Sequence, residues 1–328
     1  RTLMGQGSQT DKALDFSEIN GQEAVKRAVE VAAAGFHHIL MIGPPGSGKT
    51  MIAKRIPTIL PDLSMEESLE VSTIYSVAGQ LDDRNALITK RPFLDPHHTI
   101  SAQALAGGGR IPKPGAVSLA HRGVLFMDEL PEFRRGTIEI LRQPLEDKRI
   151  HIARTSGSFV YPADFMLVGA MNPCPCGHFP DRNKCTCSET EVKKYLSRIS
   201  GPILDRIDVI TQAPRVDIRQ LSATMHNESS ADIRERVMGA RERQNRRYRG
   251  TGYHFNAELR AGDIRTYCPL GTEEQAMMEE IFTIMNLSAR AYHKVIKVAR
   301  TIADLDGKDD IGTAHLGEAV CYRMNDRN

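Results

Sequence analysis

No stretch of the sequence approaches the roughly 18 consecutive apolar residues that a membrane span needs, so neither a transmembrane helix nor a membrane partner is expected. Its first residues, RTLMGQGSQTDKALDF, lack the basic start, apolar stretch and small-residue cleavage site of a secretory signal. They also do not begin with Met, which reads as a fragment or a processed chain. Charge of one sign is not in excess: 43 Lys and Arg against 41 Asp and Glu leave +2, so a nucleic-acid partner would need a local basic surface. There is no internal repeat and no low-complexity tract. Cysteine is scarce, six in all, with Cys174, Cys176, Cys185 and Cys187 gathered in one short stretch. Such clustering in a chain of cytosolic character favours metal ligation over a disulfide framework and fits a cytoplasmic protein.

At 328 residues, with 41% hydrophobic and 26% charged, the chain is a soluble globular type too long for one core, and two domains are expected. HHILMIG, residues 37–43, reads as a short buried strand running into a glycine-rich turn and then a helical stretch through Leu60. Apolar runs at 69–75, 123–127, 165–170 and 207–210 bring the strand count to at least five. Alternating with helices, they predict a parallel, doubly wound α/β sheet. The Gly-, Pro- and His-rich middle reads as inserted loops. Residues 136–147 have helical spacing, and RIHIARTSGSFVYPADF, residues 149–165, reads as a β-hairpin. Pro214 is the expected boundary between a core over 1–213 and a second, all-helical domain over 214–328. Helices are expected there at about 231–249, 256–266, 272–285, 288–305 and 313–323.

Gly43-Pro44-Pro45-Gly46-Ser47-Gly48-Lys49-Thr50 fits GxxxxGK[ST] at every fixed position. Glycines let backbone N–H groups turn inward around phosphates, and the helix N-terminus beginning near Met51 adds its positive field. Lys49 is expected to reach the terminal phosphates and Thr50 to ligate Mg²⁺. Val124-Leu-Phe-Met-Asp128-Glu129 is a buried strand ending in two carboxylates. Asp128 is placed to hold the Mg²⁺ shell and Glu129 to polarise an attacking water. Such a run alone is often a strand meeting a solvated loop, but the phosphate loop upstream gives it meaning. Asn172 is either a sensor of the γ-phosphate or a turn residue before Pro173.

Cys174-Pro-Cys176 and Cys185-Thr-Cys187 form two C-x-C pairs able to close a tetrahedral Zn²⁺ site, with reduced, unliganded thiols the alternative. Directly following Asn172, the cluster would brace a loop near the nucleotide. Arg234, Arg236, Arg241, Arg243, Arg246, Arg247 and Arg249, with Tyr248 among them, read equally as a phosphate-binding, base-stacking helix or as a face of ion pairs to the core. His97 and His98 are taken as loop residues.

The segments GPPGSGKTMIAKRIPTILP, RPFLDPHHTISAQALAGGGRIPKPGAVSLAHRGVLFMDELPEF, GAMNPCPCG, SGPILDRIDV and LSARAYHKVIKVARTIADL resemble the AAA+ ATPases of the magnesium-chelatase and MCM-helicase branch, and within it the YifB/ComM family. The resemblance covers nearly the whole chain. It implies a P-loop core with a helical lid, and a hexameric ring with ATP between subunits. Arg206 matches the arginine finger, and Arg290 matches the sensor-two arginine that contacts nucleotide. It further implies a helix-two insert at about 95–120, around Gly107-Gly108-Gly109, and a pore-facing hairpin over 149–165. Lys113, Arg149 and Arg154 are then candidate DNA contacts. None of the sequence is expected to correspond to the family's Lon-protease-like N-terminal domain. The implied function is an ATP-driven motor for branch migration of recombination intermediates in natural transformation; a remodelling chaperone acting on a protein partner would share every catalytic residue. A nucleotide-gated scaffold without turnover is disfavoured by Glu129.

Overall fold

The computed structural model describes residues 14–81, 87–109, 112–154, 157–215 and 227–324. Helix α1 (Glu23–Gly35) leads to strand β1 (Ile39–Ile42), then to short helices α2 (Lys49–Ala53) and α3 (Ile56–Ile59). The expected single helix breaks because Pro57 lacks an N–H and its ring collides with the carbonyl four residues back, at Ala53, where α2 ends. Helix α4 (Met65–Ala78) corrects a sequence expectation: residues 69–75 are helical, not a strand. Ser64 and Glu67 form a capping box at its start, and Gly79, at φ 71°, ends it in the left-handed region.

The fifth strand is instead β2 (Phe93–Leu94), two residues long. The inserted region holds α5 (Ala102–Ala106), a hairpin of β3 (Gly107–Gly108) and β4 (Lys113–Pro114), and α6 (Ala116–Leu119). After β5 (Val124–Met127) the expected helix divides into α7 (Arg135–Glu139) and α8 (Arg142–Asp147), since Pro144 disrupts the turn at Ile140. Strands β6 (Arg149–Arg154) and β7 (Gly157–Pro162) pair antiparallel as expected, with the hairpin tip outside the described residues. The two hairpins touch. Tyr161 donates its hydroxyl hydrogen to Pro112 O at 2.7 Å. A Cβ added at Gly107 would lie 2.9 Å from Ile152 Cδ1.

Next come β8 (Met166–Met171), α9 (Glu189–Leu196), α10 (Gly201–Leu204) and β9 (Val209–Gln212). One sheet has the order β2-β5-β8-β1-β9, parallel throughout. Helices cover both faces, so strands such as β8 are buried at every residue. The period of two still sorts the side chains: Ile39, Met41, Val124, Phe126, Met166, Val168 and Val209 enter one core, and Leu40, Leu125, Met127, Leu167, Met171 and Ile210 the other.

The described residues beyond β9 are helical: α11 (Ser230–Arg247), α12 (Ile264–Tyr267), α13 (Thr272–Ile284), α14 (Ala289–Leu305) and α15 (Thr313–Met324). The helix expected over 256–266 is two 3₁₀ turns leading into α12. Helices α11 and α14 pack on α1, so the first core continues into this region. At its centre Asp304, 2% exposed, accepts from Arg247 and from Asn256 Nδ2 at 2.9 Å, and forms an ion pair with Arg300 at 3.2 Å. Removing one partner of a buried ionic set leaves the others uncompensated. Asp304→Ala is expected to lower stability by about 3–5 kcal/mol, read as a fall in the urea midpoint. A loss under about 1 kcal/mol would show that water compensates Arg247 and Arg300.

Candidate nucleotide site

In a parallel sheet every strand's C-terminal end lies on one edge, and three of these ends carry the candidate residues. Gly43 follows β1 so close to β9 that a Cβ would sit 2.2 Å from Ala213 O, which only glycine allows. Gly46 and Gly48 have φ of +76° and +86°, with open space where a Cβ would be. Their requirement is conformational, since left-handed residues curl a loop's amides toward one centre. Pro44, Pro45 and Ser47 complete the turn, and Met51, 41% exposed, lies in the first turn of α2, which runs from it.

Lys49 is buried, its Nζ donating to Gly43 O at 2.7 Å, Pro44 O at 2.9 Å, Ser47 Oγ at 3.3 Å and Asn172 Oδ1 at 3.4 Å. Burial lowers its pKa, opposed by Asp128 and Glu129. Thr50 donates its hydroxyl hydrogen to Asp128 Oδ2 at 2.6 Å. Lys49, Thr50, Asp128 and Asn172 therefore meet at one place. Convergent hydroxyl and carboxylate oxygens are the donors a hard divalent cation takes, so these residues fit Mg²⁺. Glu129 sits at φ 49°, strained for a residue with a Cβ, and its side chain is 59% exposed beside the acid.

Sequence reasoning passed over three further residues. His98 Nδ1 lies 3.7 Å from Glu129 Oε2 and stacks on His97. Asp95 has its pKa raised by burial, opposed by Lys54 and reinforced by Asp128. Gln22 Nε2 donates to Ser47 O at 3.1 Å, tying the phosphate loop to the start of α1. Asp95 comes from the insert, whose lack of periodicity hid it, and His98, named in the sequence beside His97, reads there only as a loop residue. Gln22 lies outside any local motif.

Arg206 and Arg290 are not at this edge. Both approach Glu146, Arg290 at 3.8 Å, and Arg206 also donates to Pro202 O at 2.6 Å. They line a cavity of about 430 Å³ with His38, Asp164, Phe165 and Asp208, which stand at the N-terminal ends of the strands. Four-residue strands at about 3.3 Å per residue put about 13 Å of sheet between this edge and the phosphate loop. Neither arginine adjoins its own chain's loop. The lid holds the Arg206 segment: Lys294 and Arg323 both donate to Ile207 O, at 3.1 and 2.7 Å, and Lys294 pairs with Asp208 at 2.9 Å.

The four clustered cysteines place their Sγ atoms within 4.8 Å of one another, with separations of 3.4, 3.7 and 3.8 Å among Cys174, Cys176 and Cys185. A tetrahedron of thiolates at the usual zinc–sulfur distance has edges of about 3.8 Å.

The arginine-rich helix resolves toward ion pairs. Arg234 meets Asp62, Arg236 meets Glu30 and Glu228, Arg243 meets Asp309 and Arg247 meets Asp304. Arg241 stacks over Phe255, while Tyr248 is buried with its hydroxyl on Asn256, so neither faces a base. Arg246 and Arg249 are exposed, as are Lys113 and Arg149; the side chain of Arg154 lies outside the described residues.

The loop, the acid pair and the sheet order define an α/β P-loop core of the AAA+ class followed by a helical region. The chain belongs to the magnesium-chelatase family, in its YifB/ComM group: the family described as magnesium chelatase, subunit ChlI, matches residues 15–221, and its C-terminal counterpart matches 227–323. It is 48% identical to YifB of Escherichia coli (strain K12) over 315 residues, 95% of this chain and 61% of that protein. It is 44% identical to the competence protein ComM of Haemophilus influenzae over 312 residues, 94% and 60% of the two. The magnesium-chelatase 67 kDa subunit of Heliobacterium mobile is 27% identical over 61% of this chain and 34% of its own length. The chain thus spans about three fifths of the length of YifB and ComM. Among the described residues no helix is long and apolar enough to cross a membrane.

One residue at the arginine edge yields a pH prediction. Burial pushes His38 down from 6.5 to about 4, and its Nδ1 accepts from the Leu167 N–H at 3.1 Å, which needs a neutral ring. The unfolded chain takes up that proton below about pH 6.5 while the folded chain does not, so stability falls as pH drops from about 6.5 to about 4. At pH 5 the loss relative to neutral pH is about 2 kcal/mol. In His38→Asn, which keeps an acceptor for Leu167, the difference between denaturation midpoints at pH 7.5 and pH 5 should shrink by that amount. An unchanged difference would contradict the assignment.

Proposed function

We propose that the chain is the ATPase engine of a ring motor acting on DNA. The observation that carries the ATPase reading is the meeting of Thr50 Oγ1 with Asp128 Oδ2 at 2.6 Å beside the Lys49 ammonium. The loop from Gly43 to Met51 holds the triphosphate, with Lys49 on its terminal phosphates. Thr50 and Asp128 hold Mg²⁺, which when bound neutralises charge on the phosphates. Glu129 orients and deprotonates the attacking water, and Asn172, fixed against Lys49, orients the same water or the γ-phosphate. Arg206 and Arg290, facing away from their own loop, serve the nucleotide of a neighbouring subunit in a hexameric ring, where a guanidinium stabilises charge developing on the transferred phosphoryl group. Residues 214–328 act as the lid, and Cys174, Cys176, Cys185 and Cys187 take a structural Zn²⁺.

Similarity to a protein named for competence supports DNA as the partner, and with it branch migration during natural transformation. Lys113, Arg149 and Arg154 on the two hairpins are the proposed DNA contacts. The second reading, remodelling of a protein partner, draws on the similarity to a magnesium-chelatase subunit and on the ion pairs that occupy the arginines of α11. ATPase rates with and without forked or single-stranded DNA separate the two. Stimulation that fades with salt supports the motor, and rates indifferent to DNA support remodelling.

Glu129→Gln should bind ATP yet lose turnover by roughly 10³-fold, and Arg206→Ala should do likewise. Lys49→Ala should fail to bind. Mixing Lys49→Ala with Arg206→Ala creates interfaces with both an intact loop and an intact arginine, so partial activity should return. A mixture as inactive as its components would refute the shared site.

A further inference from the structure

The cysteine loop touches the phosphate loop. Gly177, at φ +79°, packs so closely on Pro45 that a Cβ would lie 2.3 Å from Pro45 Cδ and 2.9 Å from its Cγ. The same loop grows directly out of the site: Asn172, which accepts from Lys49, stands two residues before Cys174. Its far end returns there too. After Cys187, the Ser188–Glu191 capping box starts α9, and buried Tyr195 on that helix receives the Asn172 backbone N–H on its hydroxyl.

Between these anchors the segment has almost nothing apolar to hold it. From residue 175 to 188 only Gly177 is buried, and the rest are exposed or half-buried. Main-chain turns such as Gly177 N–H to Cys174 O and Cys185 N–H to Asp181 O, with the Phe179 N–H on Cys174 Sγ, shape it locally. They do not fix it to the sheet. A segment of this kind, too small to bury a core, is held by a cross-link, and four converging thiolates supply one when a metal joins them.

We infer that a thiophilic divalent metal, zinc by its sulfur geometry, held by Cys174, Cys176, Cys185 and Cys187, sets the affinity of the nucleotide site by pressing Gly177 on Pro45 and fixing Asn172 opposite Lys49. This rests on the reading of residues 43–51 as the ATP site. The cysteines act on the nucleotide only through the loop, as positioning residues. Metal occupancy becomes a condition for tight ATP binding.

The test uses the full chain purified under reducing conditions, with metal content by mass spectrometry and affinity for a fluorescent ATP analogue. One zinc per chain is expected. Cys185→Ser/Cys187→Ser should lose the metal and bind the analogue about tenfold more weakly while its circular dichroism is unchanged. Gly177→Ala should keep the metal and still bind about tenfold more weakly, since the added methyl forces Pro45 aside. It keeps the inference testable should the cysteine variant fail to fold. Metal-loaded Gly177→Ala binding within twofold of the unmodified chain would overturn the coupling. A chain that neither carries nor takes up zinc would overturn the metal centre and the coupling together, and a chain with intact metal but no saturable ATP binding would overturn the nucleotide site itself.

Discussion

The hydrogen bond between Thr50 and Asp128 is the contact the rest of the architecture serves. Its donor follows β1 and its acceptor follows β5, strands that are not neighbours but are separated by β8. They meet only because all three strands run parallel in a fixed register, with Ile42 opposite Met171 and Met127 opposite Gly169, so that β5 ends two residues short of the other two. A slip of one residue in either pairing would turn the acid or the loop to the wrong face. The buried, branched strands are thus more than a core: they set the distance between a hydroxyl and a carboxylate to within a few tenths of an ångström.

Charge is distributed with similar economy. The exposed pairs along α11 contribute little individually, because water and salt screen them. What they do is occupy the arginines, so a segment that looks strongly basic in sequence presents mainly Arg246, on the helix, and Arg249, just past its end, outward. The buried set at the lid is different. Lys294 with Asp208, and Arg323 on Ile207 O, pay a desolvation cost that well-packed apolar residues would avoid. Burial brings Lys294 down to about 8, while the Lys294 ammonium overrides burial to hold Asp208 well below the usual carboxylate range. Such ions fix geometry rather than add stability, and the geometry they fix is the backbone beside Arg206.

Much of the site was legible because its chemistry is local in sequence. Eight consecutive residues carry the phosphate loop, and a four-residue apolar run announces the acid that ends it. Asn172 and the cysteines stood out for the same reason. The failures came where the signal is either too short or spread through space. A two-residue strand such as β2 has no period to detect, whereas residues 69–75 offered enough apolar side chains to imitate one. The capping box at Ser64 and the glycine at 79 marked that segment as helical all along. Asp95, His98 and Gln22 reach the site from insert and helix start, where no pattern points to a function. Which edge of the sheet Arg206 and Arg290 occupy follows from strand direction, which residue spacing does not encode.

The contact between the two small hairpins has a mechanical meaning. Each is a two-stranded ribbon, a unit too small to hold its shape in water unaided. Through Tyr161 on Pro112 and Gly107 against Ile152 they lean on each other, and so neither can swing without carrying the other. A push delivered to the root of one, next to α8 or to α5, is handed on to the other through that shared contact.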